Sequence, residues 1–537
     1  MAHVTVFDGL SYGKGKAFAY DRISLPQMLD RTADQYADRT AVTFYQQRLT
    51  YGQLQEITRK VAAALYQSGV GKGDRVGIML PNCPQYVAAF YGVLRRGAVV
   101  VQVNPLYAER EIEHVLEDSG AEVLFVFADL YAKLRRMAGY ANLKKVIVAS
   151  FAPASLALEQ NATGWESFLD SAQPVPDESV DPEEDVAVLQ YTGGTTGRSK
   201  GAMLTHRNLV ANAQQGKELG SEQPLTEGDK ILTVIPLFHV YGMTCAMNLG
   251  ILTATNVILL PRFDVREVLE TIKEHRPTYF PGVPTMYVAL NSYPDADQYG
   301  IDAIRICNSG SAPLPVELMH SFEQKTGANM YEGYGLSEAS PTTHSNPRNS
   351  SKKPGSIGLP LPGTEARIVD HTTGTRTLPI GEVGELVIRG PQVMKGYWNM
   401  PAETANALRD GWLYTGDMAR MDEDGFFYIV DRKKDMIIAS GYNVYPREIE
   451  EVLYMHPAVL EAVAAGVPDE YRGETVKAFI VLKPGQSATP EEIEGFCRQH
   501  LAAFKVPRLI EFRESLPKTA VGKILRRVLA EEAKKQG

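Results

Sequence analysis

The sequence predicts an α/β protein: a large N-terminal domain of mixed, mainly parallel sheets with helices, and a small α+β C-terminal domain. Three observations carry this. Strand-like and helix-like apolar patterns alternate from Leu25 to Gly310, as βα units do. From about Gly355 the texture changes to short strands with glycine turns, the mark of a smaller antiparallel, barrel-like β region. A charged break, Asp431-Arg432-Lys433-Lys434-Asp435, then precedes a stretch the size of one small domain. The boundaries are residues 1–430 and 437–537, with 431–436 between them.

Each element has its local cause. Leu25, Met28, Leu29, Ala33 and Tyr36 recur at helical spacing, and 41–45 is a strand. Thr50 and Gln53 form a capping box that starts the next helix. Residues 74–80 are a strand that Pro81 ends; 84–96 is a helix, 98–103 a strand, Glu109–Ser119 a helix and 121–127 a strand. The proline- and acid-rich stretch 174–185 is a solvated connector, and 186–190 is a buried strand. Strands follow at 230–236 and 256–260, a helix at Val265–His275, a strand-to-turn at 279–284 and a strand at 304–310. The β region holds short strands at 366–369, Gly384–Arg389 and 425–430. Beyond the break come a helix (Pro446–Met455), strands (459–467, 476–483), a helix (490–501) and a basic tail.

At 537 residues the chain exceeds the usual domain size of about 100–200 residues, so several domains are expected. Its 44% hydrophobic and 22% charged residues are those of a globular protein. A formal charge of -9 argues against a general nucleic-acid binder, while leaving room for local basic pockets. Cys83, Cys245, Cys307 and Cys497 lie too far apart for metal-ligand spacing and read as unpaired thiols of a reducing cytoplasm. The start of the chain lacks a basic region followed by an apolar core. No apolar run is long enough to span a bilayer, so membrane contact is expected to be peripheral at most.

Residues 191–201 read Tyr-Thr-Gly-Gly-Thr-Thr-Gly-Arg-Ser-Lys-Gly. Gly193, Gly194 and Gly197 allow close backbone approach. The hydroxyls of Thr192, Thr195, Thr196 and Ser199 and the cation of Lys200 suit polyphosphate oxygens. A surface turn uses the same residue types. The Walker pattern is not met, because the stretch closes Gly197-Arg198-Ser199-Lys200-Gly201.

Further stretches follow in order: Pro236-Leu237-Phe238-His239; Tyr331-Glu332-Gly333-Tyr334-Gly335-Leu336-Ser337-Glu338; Tyr414-Thr415-Gly416-Asp417; Asp431 to Asp435 with Ser440-Gly441-Tyr442-Asn443-Val444; and Pro517-Lys518-Thr519-Ala520-Val521-Gly522-Lys523. This set resembles the adenylate-forming superfamily of acyl-CoA synthetases, luciferases and peptide-synthetase adenylation domains, from about Leu25 to the C-terminus. Asn82-Cys83-Pro84-Gln85, the run 238–243 and the run 390–398 are most similar to bacterial long-chain fatty acid–CoA ligases.

The resemblance implies a reaction in two steps, with ATP, Mg²⁺ and coenzyme A. A carboxylate attacks the α-phosphate of ATP, and the thiol of coenzyme A then displaces AMP. It implies catalytic roles for Lys523, Glu338 and His239, and metal ligation by Glu338 and Thr192. Lys523 bridges carboxylate and α-phosphate; read alone it is one lysine of a basic tail. Glu338 alone would cap the helix after it, and Asp417 alone would be a turn residue. Nucleotide contacts are implied for Thr192, Gly193, Gly194, Thr195, Thr196, Gly197, Lys200, Glu332, Gly333, Tyr334, Gly335, Ser337, Asp417, Arg432 and Lys523. Asp417 and Arg432 serve the ribose, Tyr334 lies along adenine, and Gly310, Ser311 and Ala312 form the floor beneath the base.

His239, Gly282, Val283 and Pro284 are implied to line the acyl site, where each buried CH₂ is worth about 0.8 kcal/mol. By its residue type alone, a histidine after an apolar strand is a packed core residue. Lys434 is the implied hinge, and the small domain is then mobile, bringing Ser440, Gly441 and Tyr442 to coenzyme A after adenylation. Expected partners are a medium- or long-chain fatty acid, ATP and coenzyme A, with no nucleic acid. A monomer or a homodimer is allowed. The expected location is the cytoplasm, with peripheral contact on the inner membrane face open to it. An aryl- or other carboxylate–CoA ligase of the same superfamily is the alternative substrate reading. A non-catalytic acyl- or nucleotide-binding protein is the alternative of another class.

Overall fold

The alternating patterns of the first three hundred residues build two sheets with parallel centres. The structure, a computed structural model, describes residues 3–4, 12–14, 16–151, 157–170, 172–192, 199–219, 223–349, 351–433, 435–439, 442–469, 473–519 and 522–536. One sheet has eight strands in the order Gly396–Tyr397, Lys200–Thr205, Val186–Thr192, Val99–Gln102, Arg75–Met79, Val123–Phe127, Lys145–Ala149, Ala162–Gly164. Its strands from Val186–Thr192 to Ala162–Gly164 run parallel. The other sheet has nine strands, and its parallel centre orders Asn329–Gly335, Ile306–Ser309, Tyr279–Gly282, Lys230–Thr233, Asn256–Leu259, Thr40–Phe44.

The helix Pro84–Arg95 lies between these sheets and is buried on nearly every residue. A helix that is apolar all round has to be enclosed on all sides, and this one packs with core residues of both sheets, Val42 and Phe44 on one, Val76, Ile78 and Val100 on the other. Just before it, the buried Asn82 ties the sheets together. Its Nδ2 donates to the carbonyls of Thr233 (3.3 Å), Ile235 (3.0 Å) and Leu260 (3.1 Å), and its Oδ1 accepts from Leu237 N–H at 2.7 Å. The Tyr86 hydroxyl adds a bond to Leu237 O at 2.8 Å.

The glycine-rich β region forms a third, antiparallel sheet that includes Glu365–Val369, Gly384–Arg389, Trp412–Met421 and Phe427–Arg432. Its last strand runs two residues into the charged break, because Asp431 and Arg432 still pair with Met418 and Asp417. The C-terminal part has its own five-stranded sheet, with the long pair Val459–Asp469 and Gly473–Leu482 at its centre and a core that includes Ile437, Ile449, Leu453, Ala464 and Ile480. The basic tail is not a loose end: Arg526–Gln536 is helical, and Leu529 is buried with Phe479 and Leu516.

Two features differ from the sequence reading. Residues 240–252 are helical, with Met243–Asn248 as a π-helical turn. That segment is apolar and enclosed, so no amphipathic period marks it. The phosphate-type stretch joins two antiparallel strands, with Thr192 paired to Lys200; the strand Lys200–Thr205 is not read from the sequence, and the helix His206–Leu219 follows it. Residues Gly193, Gly194, Thr195, Thr196 and Gly197 themselves lie outside the described residues.

Asn82→Ala leaves the Ile235 and Leu260 carbonyls and the Leu237 N–H without their buried partner, while Thr233 O keeps the Leu260 N–H. Its unfolding midpoint in denaturant should fall by the equivalent of about 2–3 kcal/mol; a loss below about 0.5 kcal/mol would show that the sheets are held together elsewhere.

Candidate active site

Ligands of open α/β sheets sit beyond the carboxyl ends of parallel strands, and here Tyr334, at such an end of the nine-stranded sheet, bonds Asp417 on the antiparallel sheet. Gly282 and Ser309 end neighbouring strands of the nine-stranded sheet. Glu332, Gly333, Tyr334 and Gly335 form the end of the next strand over. Gly310 N–H donates to Gly282 O at 3.2 Å, and Ser311 takes a left-handed φ of 66° before Ala312. The room that Gly282 leaves is taken by the Tyr287 ring, and the room beside Gly310 by the Tyr241 ring. Both tyrosines anchor there: Tyr241 Oη bonds Asn308 Oδ1 at 2.7 Å, and Tyr287 Oη bonds Phe280 O at 2.7 Å. Gly335 has no alternative, since a Cβ would stand 2.2 Å from Pro341 O.

His239 caps the short helix after the Lys230–Thr233 strand. Its Nδ1 accepts from Tyr241 N–H at 3.2 Å. Burial, with the nearby Lys523 ammonium, pushes its pKa down to about 4. A neutral ring whose Nδ1 is an acceptor carries its proton on Nε2. His239 is therefore a hydrogen-bond donor at neutral pH and not a base.

Asp417 lies on the strand Trp412–Met421 directly opposite Arg432. Tyr334 Oη donates to its Oδ2 at 2.5 Å, and Arg432 Nε stands 3.6 Å from its Oδ1. Burial raises the Asp417 pKa, opposed by Arg432 and Lys523. Each oxygen has two lone-pair sites, so further donors can still be accepted. Glu332 is buried with one oxygen 3.6 Å from Arg447 Nη2; burial raises its pKa to about 7 against the pull of Arg447.

The short 3-10 turn Ser337–Ala339 packs against the hairpin strands Val186–Thr192 and Lys200–Thr205. It presents Glu338, whose Oε1 accepts from Tyr397 Oη at 2.7 Å; the carboxylate does not cap a helix. Lys200 Nζ lies 5.1 Å from the centre of the same Tyr397 ring and is paired with Glu403. Among the described residues no three His, Cys, Asp or Glu side chains gather as a metal cage. One carboxylate, the Thr192 hydroxyl and a cation suit a Mg²⁺ carried in on phosphates, since that ion keeps waters and takes few protein ligands.

The C-terminal part is docked over this crevice. Gly522 has φ 75°, its O accepts from Thr285 Oγ1 at 3.4 Å, and a Cβ there would come within 2.6 Å of that oxygen. Lys523 follows, its N–H donating to Thr519 Oγ1 at 3.1 Å. Burial and the Arg432 guanidinium lower its pKa to about 8, against the pull of Asp417. The same docking buries Arg447, which donates to Ile429 O (3.1 Å) and Gly355 O (3.4 Å). Arg526 bonds Asp431 (3.1 Å), Asp435 (3.0 Å) and Glu450 (2.9 Å). Thus His239, Asp417, Arg432 and Lys523 share one electrostatic neighbourhood, with Val283 beside Gly522 and Pro284 starting the next helix. Lys434, Ser440 and Gly441 lie outside the described residues, and Tyr442 starts the edge strand Tyr442–Val444. Sequence reasoning missed Thr285, Tyr241, Tyr397, Glu403 and Arg447. Their partners are distant in the chain, and only Tyr241 and Tyr397 fall in stretches singled out for similarity.

The fold and this site define an AMP-binding enzyme. The AMP-binding enzyme family model matches residues 29–398 and its C-terminal domain model matches 448–523, so the chain belongs to the AMP-binding enzyme family. Within it, the chain is 49% identical to a long-chain-fatty-acid–CoA ligase of Bacillus subtilis, over 95% of this chain and 94% of the relative. It is 40% identical to the ligase of the same name from Yersinia pestis, over 96% and 95%. Among solved structures, the anthranilate CoA ligase AuaEII in complex with anthranoyl-AMP aligns with a TM-score of 0.88 at 30% identity, covering 96% of this chain and 98% of that one. ATP-bound MatB from Rhodopseudomonas palustris aligns with a TM-score of 0.86 at 29% identity, covering 96% and 100%.

With Lys523 near 8, its cation is present below that pH and lost above it. The kcat/KM of adenylate formation should therefore fall as pH rises through about 8, and show no limb near 6.5 from His239. An alkaline limb that survives Lys523→Arg unchanged would contradict this assignment.

Proposed function

We infer that the chain is an AMP-forming long-chain fatty acid–CoA ligase that uses ATP, Mg²⁺ and coenzyme A. A fatty carboxylate oxygen attacks the α-phosphorus of ATP and the bond to pyrophosphate breaks, leaving acyl-AMP. The thiol sulfur of coenzyme A then bonds to the acyl carbon, and AMP departs. The observation that carries the reading is the docked Gly522-Lys523 turn against Thr285 and Val283, with Asp417 and His239 within its field.

The first step brings two anions together, so the site has to supply positive charge where negative charge gathers. Lys523 does so between carboxylate and α-phosphate. His239 donates from Nε2 to a substrate oxygen. Asp417 accepts from the ribose hydroxyls beside Arg432, and Tyr334 is held along the base by its bond to Asp417. Gly310, Ser311 and Ala312 give the floor, and Gly333, Gly335 and Ser337 keep the wall low. Glu332 supports that wall from behind through Arg447. Lys200 takes the leaving pyrophosphate with Thr192 and the connection 193–197. Mg²⁺, held by Glu338 and Thr192, neutralises phosphate charge when bound.

The docked orientation serves adenylation. Residues 1–430 act as the nucleotide- and acyl-binding body, and 437–537 as a lid that turns about 431–436, with Lys434 as the hinge. Release of the Arg447–Glu332 contact then brings Ser440, Gly441 and Tyr442 to coenzyme A. No described helix is long and apolar enough to cross a membrane; any bilayer contact that delivers fatty acid is peripheral.

Assay of AMP and thioester release across fatty and aromatic acids should give turnover with medium or long alkyl chains. Turnover of aromatic acids alone would sink the fatty-acid reading. Lys523→Ala should lower acyl-AMP formation by about 100-fold or more, while supplied acyl-AMP still reacts with coenzyme A at near the unmodified rate. Equal loss in both half-reactions would remove Lys523 from the first step.

A further inference from the structure

Tyr397 joins two groups of the phosphate end that the sequence leaves separate. Its hydroxyl donates to Glu338 Oε1 at 2.7 Å, and its ring lies under the Lys200 ammonium at 5.1 Å. The ring is fixed from its own backbone. Tyr397 pairs with Ala202 on the edge of the eight-stranded sheet, its N–H donates to Thr404 Oγ1 at 2.9 Å, and the next residue donates to Gly201 O at 2.8 Å. Glu338 is fixed from the same segment, since its carbonyl accepts from Met394 N–H at 2.8 Å.

We propose that Tyr397 is a positioning residue that presents Glu338 to Mg²⁺ through one oxygen only. A carboxylate with Oε1 engaged by a charge-assisted hydrogen bond has Oε2 left to offer as a ligand. One-oxygen ligation suits Mg²⁺, which is small and octahedral; the larger Ca²⁺ accepts two oxygens of one carboxylate. Outer partners of this kind orient the ligand and tune the metal. The same ring keeps Lys200 in place by a cation–π contact, so metal carboxylate and phosphate cation are registered against one side chain.

The proposal rests on Glu338 being the metal carboxylate. The test is calorimetric titration of the full-length protein with the α,β-methylene analogue of ATP, in Mg²⁺, in Ca²⁺ and in EDTA. Tyr397→Phe keeps the ring under Lys200 and removes the hydroxyl. It should bind the analogue about tenfold more weakly in Mg²⁺, equally well in EDTA, and with a smaller preference for Mg²⁺ over Ca²⁺. Unaltered EDTA binding also shows that the nucleotide site is still folded. Equal weakening in all three media would overturn the proposal, because the hydroxyl would then serve packing alone. So would an unchanged Mg²⁺ titration. Glu338→Gln separates the two ideas. If it loses the Mg²⁺ dependence while Tyr397→Phe retains it, the metal reading stands and the positioning role falls. If Glu338→Gln retains it, the metal reading falls and takes this proposal with it.

Discussion

The amide of Asn82 reaches three carbonyls at the ends of two strands of the second sheet and accepts a bond from Leu237, while its own backbone leaves the first. Everything downstream depends on this cross-link. The loop from Pro236 carries His239, and its start is fixed by Asn82 and by Tyr86. Loop carbonyls buried between sheets have to find donors, and a short asparagine with two N–H groups and one oxygen meets several at once. The crevice thus gets its shape from a polar contact at the centre of an apolar core, where low dielectric makes such a bond costly to lose.

Charge is arranged by burial as much as by pairing. His239 is kept neutral and Lys523 is brought toward the neutral range, while Glu332 and Asp417 are pushed upward. Burial is the largest cause of each of these shifts. Docking is made by main-chain fit at Gly522 and by Arg447 and Arg526, which satisfy carboxylates on both sides of the junction.

The layers of this fold were legible because alternation of strand and helix patterns is local. Leu25–Tyr36, Glu109–Ser119 and Val265–His275 start and stop at the residues that the sequence pattern indicates. The helical segment 240–252 was not legible, since an enclosed helix carries no polar face. The hairpin nature of the phosphate stretch was hidden too: its second strand, Lys200–Thr205, carries no strict alternation to mark it. At the site, the motifs pointed to Asp417, Glu338 and Lys523, but no spacing rule could place Tyr397 on Glu338, or Arg447 on Glu332. Those pairs are 59 and 115 residues apart and meet only through sheet order and docking.

In the proposed function Lys200 meets phosphate, and its pairing with Glu403 means that this end of the site holds its own substitute anion. Nucleotide entry is then an exchange and not the filling of a bare cationic hollow: a phosphate oxygen takes over a partner that a carboxylate gives up. The net gain is the difference between two ion pairs, which tempers the grip on ATP and, equally, on departing pyrophosphate. On that reading residue 403 bears on how readily the products leave without touching the atoms that react.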